Sequence, residues 1–218
     1  KKAKNLLLGL MSSNDAMETT NKEFLEGFGE FVDGEERKAQ AANTPPPSYR
    51  NEVVKDNYED FNDRFYGNND VMVSNKSALH GTHVSGIIAA ARKNGKGMDG
   101  IADNVRIMPL RAVPDGDEHD KDIALAIRYA VDNGARVVNM SFGKSFSPQK
   151  KWVDEAVKYA ESKGVLLIHA AGNDAKNLDT TFNFPTPLLL DGTRPNNWIT
   201  VGASGDPKAG GLTANFSN

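Results

Sequence analysis

From residue 80 onward the apolar positions alternate between two periods. Val84, Ile87, Ile88 and Ala91 recur at helical spacing, with small Gly86, Ala89 and Ala90 between them, and predict a buried helix over 81–93. An apolar strand follows near 105–113. Ile123, Ile127, Ala130 and Val131 form one face of a helix near 121–133, with Asp120 as its cap and Asn133-Gly134 as its end. A strand over 136–141 comes next. Ser147-Pro148 supplies a cap and a first-turn proline for a helix over 148–163. That helix turns Trp152, Val153, Ala156, Val157 and Ala160 inward and stops at Gly164. Two more strands are predicted at 165–171 and 198–203. Near-continuous apolar strands alternating with helices predict an α/β fold, a largely parallel sheet with helices on both faces.

The first third of the chain reads differently. Residues 1–50 are rich in Glu, Lys, Asn and Ala and predict a helical insert or extension, with Phe24, Leu25, Phe28 and Phe31 as a packed face. Pro45-Pro46-Pro47 makes a proline-rich link. Residues 51–79 carry many Asp and Asn and few core residues, so they predict a surface loop leading to His80. Residues 80–218 hold the α/β core.

Charge and composition remove several classes of function. A net charge of -3 at pH 7 offers no polybasic surface for nucleic acid. The chain has no cysteine, hence no disulfide and no thiolate metal site. No apolar run approaches the ~20 residues of a membrane span. No glycine-rich phosphate loop follows a strand; Gly95-Lys96-Gly97 follows a helix, which argues against a nucleotide-binding domain.

Candidate chemistry sits at helix and strand ends. His80 opens the run His80-Gly81-Thr82-His83 at a helix entrance, where the helix dipole disfavours imidazolium and keeps a base available. The strands predicted over 136–141 and 165–171 run into Ser141-Phe142-Gly143 and Ala170-Ala171-Gly172-Asn173. Open α/β sheets bind ligands at such carboxyl ends, so the topology alone predicts a shared cleft.

Three motifs in order, HGTHVSGIIAA, NMSFG and HAAGND, resemble the subtilisin-like serine peptidases, or subtilases. The likeness extends over about residues 78–218 and closes in Phe216-Ser217-Asn218. It implies a three-layer subtilisin-like fold and hydrolysis of peptide bonds by a Ser-His-Asp triad. It implies that His80 is the general base and that Asn173 is the side-chain donor of the oxyanion hole. Ser141, Phe142 and Gly143 would pair with an extended substrate, and Ala170, Ala171 and Gly172 would wall the pocket for the residue before the cleaved bond. The chemistry fits: histidine changes charge near neutral pH, and an amide stabilises an oxyanion without titrating. The family's aspartate strand and its Gly-Thr-Ser nucleophile segment are not found. Val32-Asp33-Gly34 lacks a preceding strand, Leu188–Gly192 falls in the wrong order, and Ser204 opens no apolar helix. The sequence therefore reads as the middle of a subtilase cut at both ends, inactive alone, with apolar surface open beside its cleft.

Blander roles are assigned to the other polar residues. His83 is expected to pack at the helix start, His169 to be a hydrogen-bonded core histidine, and His119 to sit in a solvated loop. The resemblance requires no cofactor but admits structural calcium, for which the acidic loop Pro114–Asp120 lacks the EF-hand spacing. His80 and His83 lack a third ligand for zinc. The partner implied is a polypeptide substrate, and export from the cytoplasm follows by analogy. The alternative function is a noncatalytic module that binds extended peptides along Ser141–Gly143.

Overall fold

In the computed structural model, residues 29, 32, 50–72, 78–113, 117–205 and 211–218 are described. The chain divides into two units, Lys1–Glu52 and Val53–Asn218. The helical face expected over Phe24–Phe31 and the proline-rich link fall, apart from Gly29, outside the described residues.

The second unit orders its elements as α1 (Leu79–Ala89), α2 (Asp120–Asp132), β1 (Val137–Met140), α3 (Lys150–Ser162), β2 (Leu166–Ala170) and β3 (Trp198–Val201). The three strands form one parallel sheet in the order β1-β2-β3. The register aligns Met140 with His169 and His169 with Thr200. Because side chains alternate along a strand, Val138, Met140, Leu167, His169 and Trp198 share one face.

That face is covered by α2 and α3. On α2, Ile123, Ala124, Ile127 and Val131 are buried at helical spacing; on α3, Val153, Ala156, Val157 and Ala160 are. Ala124, Ala156 and Ala160 are fully buried, and their small side chains let the two helices close on each other. Met140, Leu167, Val165 and Leu189 complete the cluster. Each large side chain buried there contributes roughly 1.5–3 kcal/mol. Left-handed Gly134 (φ 86°) and Gly164 (φ 68°) end the two helices, as the sequence predicts. The opposite sheet face is open among the described residues: Val137, Ile199 and Val201 are 53%, 47% and 49% exposed.

Several expectations are corrected. Helix α1 ends at Ala89 and buries none of its residues, so the apolar stripe on Val84, Ile87 and Ile88 is not a core face here. The chain instead folds back on the helix end: Gly100, Ile101 and Ala102 donate backbone N–H bonds to the carbonyls of Ala90, Ile87 and Ile88. Gly100 is required there, since a Cβ would lie 2.3 Å from the Ala90 nitrogen. The strand expected at 105–113 is not formed; Val105 to Val113 carries no ladder, and Ile107 is exposed. A strand needs a neighbour for its N–H and C=O groups; this segment forms no ladder with a described one, although Ala112 packs against the core.

The caps differ as well. Gln149 and His119 occupy the N-cap positions of α3 and α2, and neither makes a side-chain cap bond. Asp120 is the first residue of α2, and its carboxylate accepts from Ser147 Oγ (2.8 Å) and Gln149 N (2.8 Å) across the turn. The segment before His80 also does more than cross the surface. Phe61 packs against the core and stacks on Trp152. Lys121 Nζ, fully buried, bonds Asp56 Oδ2 (2.8 Å) and the Asn57 carbonyl (2.6 Å).

Candidate active site

The neighbouring parallel strands β1 and β2 deliver the two strand-end motifs side by side. Ser141-Phe142-Gly143 leaves β1 one residue beyond the Met140–His169 pairing, and Ala170-Ala171-Gly172 leaves β2. Phe142 is half-buried, its ring edge-on to His169 at 6.2 Å. His169 is buried and lies 5.5 Å from Trp198 on its other side, a core histidine as expected. Burial lowers its pKa to about 4, against the opposing pull of the Phe142 carbonyl, so the ring is neutral at pH 7.

Two asparagines, Asn183, which the sequence did not mark, and Asn218 of the closing Phe216-Ser217-Asn218 motif, fix the end of β2. Asn183 Nδ2 donates to the carbonyls of Ala170 (3.1 Å) and Ala171 (3.0 Å). The same amide lies against Gly143, and the backbone beside it is fixed by a bridge between Lys144 and Phe184, with N–H···O distances of 3.1 and 2.8 Å. Asn218 Nδ2 donates to the Ala171 carbonyl (2.9 Å), while its Oδ1 accepts from the backbone N–H groups of Asp174 and Lys176, both at 2.9 Å. Gly172 has φ 112°, and a Cβ there would meet Asn218 Nδ2 at 2.2 Å. The Phe216–Asn218 turn is thus the brace that shapes the loop carrying Asn173.

Asn173 itself is exposed, and its amide donates to none of the described residues. A carboxamide held on a braced loop at a strand end can donate to a developing oxyanion. His80 lies in the first turn of α1 and is exposed. His83, expected to pack, is exposed too, because α1 buries no face. Among the described elements, α2, α3 and the sheet pack together; α1 takes no extensive part in that packing.

Beyond Gly143 a second polar cluster begins. Lys144 Nζ bonds Asp120 Oδ1 (2.8 Å) and the Glu118 carbonyl (2.6 Å), nearly out of solvent. His119 is not solvated as expected: it is half-buried, with Tyr58 edge-on at 5.4 Å. Glu118 is buried, and burial pushes its carboxyl pKa up despite the nearby Lys144. No group of three His, Asp or Glu side chains among the described residues could hold a metal ion. None of the described helices is long and apolar enough to cross a membrane.

The motif-bearing strand ends lie within a longer match. The sequence profile of the subtilase family (peptidase S8) fits residues 16–218. The chain belongs to the subtilase family. It is 44% identical over 104 residues to a thermophilic serine proteinase of Bacillus sp. strain AK1, covering 47% of this chain and 25% of that protein. It is 36% identical over 107 residues to thermitase of Thermoactinomyces vulgaris, covering 49% of this chain and 37% of that one. Among solved structures, the protease domain of PatA is 32% identical with a TM-score of 0.50, covering 65% of this chain and 47% of that one. The epidermin leader peptide processing serine protease EpiP of Staphylococcus aureus is 25% identical with a TM-score of 0.51, covering 64% and 36%. The α/β fold with its parallel sheet is thus a subtilase fold. This subtilase chain spans well under half the length of the curated relatives named here.

Proposed function

We propose that the polypeptide to which this subtilase chain belongs is a serine endopeptidase, with His80 as general base and Asn173 as oxyanion-hole donor. The carrying observation is the pair of strand ends at Ser141–Gly143 and Ala170–Asn173, adjacent in one parallel sheet, with Asn183 and Asn218 bonded to the second and the Asn183 amide lying against Gly143 of the first. An extended peptide laid along Ser141–Gly143 would bring its scissile carbonyl towards the Asn173 amide. A serine would attack that carbonyl, His80 would take the serine's proton and pass it to the leaving amine, and Asn173 would hold the oxyanion. The serine and the aspartate that orients His80 would come from segments outside residues 1–218. Relatives named as extracellular or cell wall-associated proteases support export of the enzyme.

A second reading is a peptide-binding module without turnover. It is favoured by the lack, within these residues, of any Gly-Thr-Ser or strand-borne Asp-Ser-Gly pattern. The discriminating experiment uses the longer polypeptide with internally quenched peptides and a serine-directed phosphonate. Turnover that the phosphonate stops, with a single serine labelled, is the result expected. Peptide binding without turnover or labelling would overturn the peptidase in favour of the module.

A further inference from the structure

The loop that carries Asn173 is held almost residue by residue by one turn far along the chain. Ala171, Gly172, Asp174, Ala175 and Lys176 each bond to Phe216 or Asn218. The Asn218 side chain makes three of these bonds. Its Nδ2 donates to the Ala171 carbonyl, and its Oδ1 accepts from Asp174 N and Lys176 N, all at 2.9 Å. Asn218 N donates to the Gly172 carbonyl (3.0 Å), and Ala175 N donates to the Phe216 carbonyl (2.9 Å). Among the described residues, Asn173 is the one member of the stretch 171–176 with no bond to this turn.

The loop has a shape that it would not keep unaided. Gly172 (φ 112°) and Ala175 (φ 53°) flank the exposed stretch with left-handed backbone, which a Cβ disfavours at Ala175. The turn that holds them is itself anchored beyond β3: Ser217 Oγ accepts from Ala203 N (2.9 Å), and Ala214 N donates to the Ala203 carbonyl (3.0 Å). The loop leaving β2 is thus referenced to the neighbouring strand β3. The chemistry of residue 218 is also specific. An amide can accept twice at its oxygen and donate at its nitrogen from one planar group. A carboxylate would accept from both N–H groups but would face the Ala171 carbonyl with no proton to give.

From this arrangement we infer that Asn218 is the positioning residue for the oxyanion-hole donor: its amide fixes the loop on which Asn173 stands, and so aims a side chain to which it is not bonded. The inference rests on the peptidase reading for the role of Asn173. An oxyanion donor is effective because its dipole is in place before the charge develops. A donor on a loose loop would lose part of that advantage to reorganisation. The Asn218 bonds supply the fixing and leave the Asn173 amide free for the substrate. Their loss should therefore appear in kcat, because the developing charge, rather than the bound peptide, needs the donor.

The test uses the longer polypeptide with an internally quenched peptide. Titration with a serine-directed phosphonate counts the competent sites, so that kcat refers to folded enzyme. Asn218→Ala should lower kcat by roughly ten- to a hundredfold, the cost of a misplaced group rather than a missing one, with KM within about twofold. In an Asn173→Leu background the same change should cost almost nothing further, because the donor that it places is gone. Should Asn218→Ala not fold, Asn218→Asp is measured in its place. It keeps the acceptor for Asp174 and Lys176 and loses the donor to Ala171, and should show the same split with a smaller loss. A rise in KM alone, or a loss as large in the Asn173→Leu background as in the native one, would overturn the inference and leave the peptidase intact. A neutral Asn173→Leu in an active enzyme would overturn the oxyanion assignment and this inference together, while the peptidase stands. A folded polypeptide that cleaves no peptide would overturn the peptidase reading and the inference with it.

Discussion

The Asn183 amide stands where a side chain on Gly143 would begin: a Cβ on Gly143 would lie 2.3 Å from Asn183 Oδ1 and 2.6 Å from Nδ2. Because Nδ2 also holds the Ala170 and Ala171 carbonyls, this one amide spaces the two strand ends that would grip a peptide.

Gly143→Ala should therefore destabilise the fold by about 1–3 kcal/mol, the usual cost of an extra methyl in a packed site. It should also raise KM for peptides. Asn183→Ala alone should destabilise through the lost bonds to Ala170 and Ala171. The double variant should be clearly more stable than the sum of the two, since removing the amide makes room for the methyl. Denaturant unfolding of the four proteins measures this coupling. Simple additivity would mean that the two residues do not meet.

The role proposed for Asn173 predicts a specific kinetic pattern in the longer polypeptide. Asn173→Leu should lower kcat by roughly a hundred- to a thousand-fold, the loss that follows removal of one oxyanion donor. KM should change little, because the amide would act on the transition state. His80→Ala should abolish most of the activity, while His83→Ala should cost no more than a few-fold. An equal loss at His83, with Asn173→Leu neutral, would reassign both roles.

The buried Lys121–Asp56 pair ties the segment before His80 to the start of α2, and both side chains are fully out of solvent. Removing one partner strands the other charge. Asp56→Ala should cost about 3–5 kcal/mol of stability. Replacing both by apolar residues of similar size, Asp56→Leu with Lys121→Met, should recover most of that loss, as measured by urea denaturation. A single variant no less stable than the native chain would show that the pair is solvated.

The sequence carried the parts of the fold that rest on local periodicity. The buried faces of α2 and α3 and their glycine stops were readable because each is fixed by residues three or four apart. The parallel strands were readable from their apolar runs, and the strand-end motifs from the short patterns that resemble the subtilases. What was not readable depends on distant partners. Nothing about Asn183 in Thr181-Phe182-Asn183-Phe184 announces that its amide bonds the end of β2. Lys121 looks like a surface residue of an amphipathic helix until Asp56 arrives from 65 positions away. The apolar pattern at 105–113 predicts a strand that is not formed, because a strand exists only with a neighbour. Helix α1 shows the same limit, since an apolar stripe marks a face without saying what covers it.

His169 gives the fold a pH dependence with a definite sign. Burial holds its pKa at about 4, against 6.5 for an ordinary histidine. Between those two values the unfolded chain binds a proton that the folded chain refuses. Stability therefore rises with pH across that window and is lost as pH falls from 6.5 towards 4. The full effect is about 3 kcal/mol, from roughly 1.4 kcal/mol per unit of pKa difference. Carboxylates titrate nearby in pH, so the measurement is a comparison of the native chain with His169→Phe. Phenylalanine keeps a ring beside Phe142 and Trp198 but cannot take a proton. Unfolding free energies by urea at pH 4.5, 5.5 and 6.5 should show the variant losing less stability on acidification than the native protein. Parallel curves would mean that the His169 imidazole is protonated as readily in the fold as in the unfolded chain, and that the cluster beneath Phe142 is open to water.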